Sequence, residues 1–230
     1  MKKYLSYGVG VNSTAMMILL KNQGIEFEAV FSDHGGDYPE TYDYVKMLQS
    51  NGYSITVLDC KVDGLDLYDY SLKYKILPSR WMRWCTDKFK VRPLYKYFVR
   101  PCVVYIGFHL AESKRAKPSR DSDIYNEFPL IENDIDQKGC EKIILDAGLY
   151  VPRKLGCYFC PFASKKEFED IRDNKHDLWC KIKTLDNSAI NRRKEQGKTP
   201  IYLRDKPLDA VVSEGQSDLW GLRKPCQCGM

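Results

Sequence analysis

The feature that most constrains this chain is the alternation, over its first half, of short β-rich runs with helical patterns. Residues 4–7 read as a strand that runs into a glycine-rich turn, and residues 13–22 then take the apolar period of a helix. A second strand follows over 27–32, Phe-Glu-Ala-Val-Phe-Ser, and a helix over 42–50 is entered through Pro39-Glu40-Thr41. Residues 53–58 read as a third strand. Residues 103–106 read as a fourth, apolar enough to have lost its alternation, as a strand buried on both faces does. Helices between strands predict right-handed crossovers and a parallel sheet. Such a sheet binds ligands beyond the carboxyl ends of its strands, where the strand order reverses. The glycine turn therefore lies where a ligand would sit.

The second half has a different character. Residues 134–147 and 165–184 are helical in pattern, with a cysteine-bearing loop between them, and from residue 191 onward the chain is polar and basic. Residues 73–83 and 114–126 have weak periodicity and are expected to act as mobile lids. The predicted architecture is an α/β fold in which a Rossmann-like parallel sheet flanked by helices occupies residues 1–150. A helical, cysteine-bearing C-terminal extension then occupies 151–230.

Composition sets limits on the partners. A chain of 230 residues, 43% hydrophobic and 29% charged, can close one good core with at most a small appendage. That balance, with a mean hydropathy of −0.47, fits a soluble globular protein and argues against disorder. No apolar run approaches the roughly 20 residues of a membrane span. The opening Met-Lys-Lys-Tyr-Leu-Ser-Tyr-Gly reaches glycines where an export signal would be apolar, so a cytoplasmic protein without membrane partners is expected. The net charge of +5 suits a polyanionic partner, nucleotide or nucleic acid. Nine cysteines, an odd number at short spacings, fit reduced thiols of which some bind metal.

Ser6-Tyr7-Gly8-Val9-Gly10-Val11-Asn12-Ser13-Thr14 joins the first strand to the first helix. Glycines let backbone N–H groups approach an anion, and the helix N-terminus adds unpaired donors and a positive dipole end. The hydroxyls of Ser13 and Thr14 can add further donors. No Lys precedes them, so this is not a Walker loop. A glycine turn of a flavodoxin-like sheet without such a role is the plainer alternative for this segment alone.

Four blocks in order turn the balance. Ser6 to Thr14 resembles the pyrophosphate loop Ser-x-Gly/Ser-Gly-Gly-x-Asp-Ser-Thr, with Val11 where Lys is common and Asn12 where Asp is common. Asp33-His34-Gly35-Gly36-Asp37-Tyr38-Pro39-Glu40-Thr41 is similar to Asp-Thr-Gly-x-x-x-Pro-Glu-Thr, and Cys85-Thr86-Asp87-Lys88-Phe89-Lys90-Val91-Arg92-Pro93 to a Cys-Thr-x-x-x-Lys-x-x-Pro block. Gly107-Phe108-His109-Leu110-Ala111-Glu112-Ser113-Lys114-Arg115 matches Gly-x-x-x-x-Glu-Ser-x-Arg. The chain thus resembles the adenine-nucleotide α-hydrolase superfamily of HUP-type folds, in its phosphoadenosine-phosphosulfate-reductase-like branch.

The resemblance implies ATP at the glycine turn, contacted by Ser6, Gly8, Gly10, Asn12, Ser13, Thr14 and Gly107. Lys90 and Arg115 would face the phosphates, with Ser13 beside them. Arg forks onto a phosphate and Lys acts as a point charge. Asp33 and Glu112 would position Mg2+ or a ribose hydroxyl, or else orient the two cations. His109 reads equally as structural or functional.

Cys157-Tyr158-Phe159-Cys160 spaces two thiolates for one metal centre. Cys60, Cys102 and Cys140 fall in strand-like or helical runs and read as buried small hydrophobes. The resemblance implies a 4Fe–4S cluster on Cys85, Cys157, Cys160 and Cys226, with Cys228 or Cys180 as other candidates for the fourth ligand. Structural Zn2+ on four thiolates is the alternative.

Three functional readings follow. In the first, ATP is cleaved between its α and β phosphates to activate an acceptor, DNA or tRNA, for sulfur supplied by a cysteine desulfurase. This resembles the ATP-pyrophosphatase component of DNA phosphorothioation systems and the tRNA thiolases. The second is a sulfonucleotide reductase, against which the tail Gln227-Cys228-Gly229-Met230 stands, lacking the Glu-Cys-Gly-x-His of those enzymes. The third is a nucleotide or nucleic-acid binding module without catalysis.

Overall fold

The computed structural model describes residues 1–153, 156–204 and 206–212. In chain order its elements begin β1 (Lys2–Tyr7), α1 (Val11–Asn22), β2 (Glu28–Asp33), α2 (Pro39–Ser50), β3 (Ile55–Asp59) and α3 (Leu67–Lys73). The short α4 (Trp84–Thr86) passes through a π-turn over Asp87–Val91 into α5 (Arg92–Tyr97), and β4 (Cys102–Ile106) leads to a 3-10 turn over Leu110–Arg115. Then come β5 (Ile124–Glu127), α6 (Pro129–Glu132), α7 (Gln137–Asp146), α8 (Lys165–Asn174), α9 (His176–Glu195) and α10 (Leu208–Val211). No helix among the described residues is long and apolar enough to cross a membrane.

The five strands make one all-parallel sheet in the order β3-β2-β1-β4-β5. The α/β architecture expected from the alternation is therefore present. Successive side chains of a strand point to opposite faces, and here both faces are covered. Leu5, Tyr7, Ala29, Phe31, Val103 and Tyr105 pack beneath α1, α2 and α7. Tyr4, Val30, Cys102, Val104 and Ile124 pack on the other side against Leu94 and Phe98. Each such aliphatic or aromatic side chain contributes about 1.5–3 kcal/mol by leaving water. Helix α1 is buried almost all round because α7 lies on it, bringing Cys140 and Ile144 to Met16, Met17 and Leu20.

The chain forms two compact units, and neither is continuous. One comprises Met1–Cys60 and Phe89–Gly156, the other Lys61–Lys88 and Cys157–Met230. The sequence reading places a single boundary at residue 150. The structure instead adds residues 61–88 to the second unit, because α3 packs on α9 and Tyr68 meets Tyr158 and Phe159 at ring distances of 6.2 and 5.8 Å.

Other elements also differ from expectation. Residues 114–126 hold the start of β5, which pairs with β4 from Cys102 opposite Ile124. Residues 73–83 are bonded into place, with the Trp84 indole donating to Leu77 O at 2.9 Å and Ser79 Oγ accepting from Trp81 N and Met82 N. Residues 165–184 resolve into two helices, and α9 continues to Glu195.

Candidate functional site

The strand order reverses between β1 and β4, so the crevice of this sheet opens where the glycine turn leaves β1. The turn is folded around one hydroxyl. Ser13 Oγ accepts from Gly8 N at 3.3 Å and from Gly10 N at 3.2 Å, and donates to Gly10 O at 3.1 Å. The first α-helical bond runs from Thr14 N to Gly10 O, which leaves the N–H groups of Val11, Asn12 and Ser13 as the first-turn donors without an intrahelical acceptor. They stand at the positive end of the α1 dipole. Thr14 is placed differently from its expected role. Its Oγ1 is fully buried, 3.1 Å from the Tyr7 hydroxyl, so it supports the turn from beneath. Burial there pushes the Tyr7 phenol well above its ordinary range.

Val9 was not singled out by the sequence reading. It is fully buried and sits at φ 56°, a left-handed conformation that costs a β-branched residue about 1–3 kcal/mol. The signal was available, since the pyrophosphate-loop pattern has glycine at this place.

Gly107, at the end of β4, has a role set by packing. A Cβ there would meet Ser13 N at 2.8 Å, Ser13 Cα at 2.9 Å and the Asn12 carbonyl carbon at 3.0 Å, all of them backbone atoms. Only glycine lets β4 approach the first turn of α1 so closely. The loop beyond it carries Glu112, on which the cationic side of the site is built. One Glu112 oxygen accepts from Asn12 Nδ2 at 2.8 Å and lies 3.6 Å from His109 Nε2, while the other pairs with Arg115. Asn12 therefore uses its amide to hold a carboxylate. An Asp at this position would set two anions against each other. Arg115 also lies 4.3 Å over the Phe108 ring, and Phe108 stacks on Phe128 at 5.9 Å and 7°. An exposed ion pair adds little stability, but these contacts aim the guanidinium.

On the other side of β1, Asp33 Oδ1 accepts from Gly35 N at 2.9 Å and from the Tyr42 hydroxyl at 2.8 Å. His34 Nδ1 accepts from Gly36 N at 3.1 Å, which leaves the proton of the neutral ring on Nε2, 3.5 Å from Asp37. Burial lowers the His34 pKa; Asp37 opposes that shift, and the positive charge of Lys90 adds to it. Lys90 acts on Cys60 as well, which puts it at the carboxyl ends of β2 and β3. Lys90, the glycine turn and Arg115 thus follow the order of the strands along one edge of the sheet. Among the described residues, His34 Nε2, Thr41 Oγ1 and His109 Nδ1 are buried without a hydrogen-bond partner. Such atoms cost about 1–3 kcal/mol each until something polar meets them.

Cys60, Cys102 and Cys140 are buried thiols, as expected, and burial pushes Cys60 up to about 11 and Cys140 to about 12. Cys157 and Cys160 share a tight turn closed by Cys160 N on Cys157 O at 3.1 Å. Cys85 lies in α4, whose preceding loop reaches that turn through Arg80 Nε on Pro161 O at 2.7 Å. Among the described residues, however, no three His, Cys, Asp or Glu side chains gather to hold a metal ion. Cys180, on α9, is disulfide-bonded and so is not the free thiolate expected of a fourth ligand, and Cys226 and Cys228 fall outside the described residues. The described thiols therefore do not by themselves fit a 4Fe–4S cluster.

A five-stranded parallel sheet flanked by helices, with a glycine turn at its switch point and cations at the neighbouring strand ends, defines an α/β protein of Rossmann-like fold. Residues 2–137 match the phosphoadenosine phosphosulfate reductase domain, and the chain belongs to that family. The fold is similar to the crystal structure of phosphoadenylyl-sulfate (PAPS) reductase from Candida auris in its phosphate complex. The TM-score is 0.53 at 15% identity, over 68% of this chain and 81% of that one. Among curated proteins, the chain is 25% identical over 202 residues to the uncharacterized protein MJ0973 of Methanocaldococcus jannaschii, covering 76% of this chain and 45% of that protein. It is 24% identical over 204 residues to the uncharacterized protein MJ0066 of the same organism, covering 76% and 39%. The chain thus spans less than half the length of these relatives.

Proposed function

We propose that the protein is an ATP pyrophosphatase that activates a nucleic-acid acceptor for sulfur transfer. The observation that carries this reading is the glycine turn at the switch point, with unpaired first-turn donors of α1 between Lys90 on one side and Arg115 on the other. A triphosphate in this crevice would meet amide donors and two cations, of which Arg115 is aimed by Glu112 and Phe108. An acceptor oxygen attacks the α phosphorus, the bond to the bridging oxygen breaks, and pyrophosphate leaves with the electron pair. Catalysis is positional and electrostatic, as charge builds on the departing oxygen. Mg2+ would enter on the phosphates, with Asp33 at the carboxyl end of β2 as a carboxylate that would meet it and Glu112 committed to Asn12 and Arg115. A cysteine desulfurase would supply the sulfur.

The test resolves the products of radiolabelled ATP. AMP and pyrophosphate support the reading, and ADP with phosphate overturns it. Arg115→Ala is expected to lower turnover at least tenfold while changing stability by less than about 0.5 kcal/mol, since Arg115 is half exposed. Turnover at the parental rate would make Arg115 a surface charge.

The second reading, a sulfonucleotide reductase, is favoured by the family and by the solved reductase of the same fold. It predicts sulfite from a sulfonucleotide and a thiol reductant, with no pyrophosphate from ATP. The thiolate centre belongs to this proposal too, supported by the adjacency of the α4 loop and the Cys157–Cys160 turn. Iron and zinc determination after anaerobic preparation, in the protein and in Cys157→Ser, measures it. Metal that disappears with Cys157 supports the centre, and a metal-free parental protein removes it.

A further inference from the structure

The second unit contains a cleft of about 540 Å³ lined by Lys75, Arg80, Arg192, Arg193, Lys198 and Arg204. No Asp or Glu is among the described residues that line it. The chain as a whole has 31 acidic against 36 basic residues, so a wall of six cations is not a consequence of composition. Arg192 donates to Tyr74 O at 2.7 Å and Arg193 to Thr199 O at 3.0 Å. Bonds to carbonyls fix these side chains without neutralising them, and each guanidinium keeps further donors.

Beside the cations stands Trp81, 95% exposed, with Met82 at 75%. A single exposed apolar side chain is ordinary. Trp81, however, is presented by a bonded loop. Ser79 Oγ holds Trp81 N and Met82 N, Arg83 N bonds Ser79 O at 3.1 Å, and Trp84 anchors the loop on Leu77 O. A large indole held out of the core at the mouth of a cationic cleft has the makings of a stacking platform.

We propose that this cleft binds single-stranded nucleic acid, with phosphates on Lys75, Arg192, Arg193 and Lys198 and a base stacked on Trp81. Cations contributed by α9, by the segment after it and by the end of α3 suit a series of anions more than one phosphate. An exposed indole needs an unstacked base, which a duplex does not offer. The inference deepens the proposed function by naming where its acceptor is held, and it rests on that reading only for the acceptor's fate.

The test uses the full chain without ATP or Mg2+, titrated into fluorescein-labelled oligothymidylate and oligouridylate of about twenty nucleotides, enough to span such a groove. Trp81→Ala is expected to weaken binding about five- to a hundredfold, with Trp81→Phe restoring most of it. Lys75→Ala combined with Lys198→Ala is expected to flatten the log–log salt dependence by about 1.4. Thermal melting of each variant at the parental temperature shows that the fold is kept. The proposal is overturned if these variants bind as the parent does, or if a duplex competes as well as a single strand. Binding to phosphatidylserine vesicles that depends on Trp81, without binding to either oligonucleotide, also overturns it. Trp81-dependent binding without AMP release from ATP would keep this inference and remove the proposed chemistry. AMP release without Trp81-dependent binding would do the reverse.

Discussion

The two units handle charge in opposite ways. In the sheet unit the carboxylates near the glycine turn are held by named partners: Glu112 by Asn12 and Arg115, and Asp33 by Gly35 N and Tyr42. In the other unit Arg192 and Arg193 of the cleft donate to backbone carbonyls, and no Asp or Glu is among the described residues that line it. Buried titratable groups share one cause in both units, since burial disfavours the charged form and so lowers a base and raises an acid. His34, in the sheet unit, is pushed below its ordinary pKa, whereas Asp186, on α9, is pushed up to about 6, in both cases chiefly by burial. A lowered His stabilises the folded state above pH 6.5 and loses that contribution as pH falls. The raised Asp186 does the opposite. Its unfolded form releases the proton near pH 4 and its folded form near 6, so stability falls as pH rises between those values. The comparison teaches that the crevice of one unit sets its carboxylates on fixed partners, while the cleft of the other is lined by cations with no carboxylate among the described residues.

The comparison can be broken at three places. The largest effect is expected at Gly107. Gly107→Ala drives a Cβ into the backbone of Ser13 and Asn12, which cannot swing aside as a side chain tip could. A loss of about 3 kcal/mol in urea unfolding is expected, together with loss of ATP affinity. A cost below about 0.5 kcal/mol would mean that β4 and α1 are not so tightly apposed.

Asp186 comes next. Its Oδ1 accepts from Leu203 N at 2.7 Å, and an asparagine oxygen can accept the same bond. Asp186→Asn is expected to match the parent at pH 4 and to exceed it by about 2–3 kcal/mol at pH 7, because the ionised carboxylate is no longer buried. Urea midpoints at both pH values check this, and equal pH dependence in the two proteins would refute it.

The smallest effect sharpens the account of the turn. Val9→Ala keeps the left-handed strain and loses packing, whereas Val9→Gly loses slightly more packing but relieves the strain. The glycine variant is therefore expected to be the more stable of the two by about 0.5–1 kcal/mol, the reverse of the order at an ordinary buried position. An alanine variant equal or superior to the glycine one would place Val9 outside the left-handed region.

Much of the sheet unit was legible in the sequence because its elements are local. The strands β1 to β4 announce themselves as short apolar runs, and α1 and α2 as periodic segments between them. The short β5 did not, since Ile-Tyr-Asn-Glu buries only Ile124 fully and owes its existence to pairing with β4. Helices α3 and α5 are too short for periodicity to declare them. At the candidate site, Ser13, Glu112 and Arg115 stand in motif blocks that the sequence displays. The roles of Val9, Phe108 and the buried Thr14 are not legible there, because they depend on a dihedral angle, a ring stack and a neighbour.

The sequence by itself determined the strands β1 to β4, the helices α1 and α2, and where the glycine turn falls between them. Steric preferences of each side chain and the period of apolar residues act within a few residues of the chain. Only the tertiary structure decided the order β3-β2-β1-β4-β5, the assignment of residues 61–88 to the second unit, and the bond from Asn12 to Glu112. Those features join residues far apart in the chain, a hundred positions apart for that last bond. No local preference encodes such a contact; it forms when burial and strand pairing together offset the entropy of closing the loop between its ends.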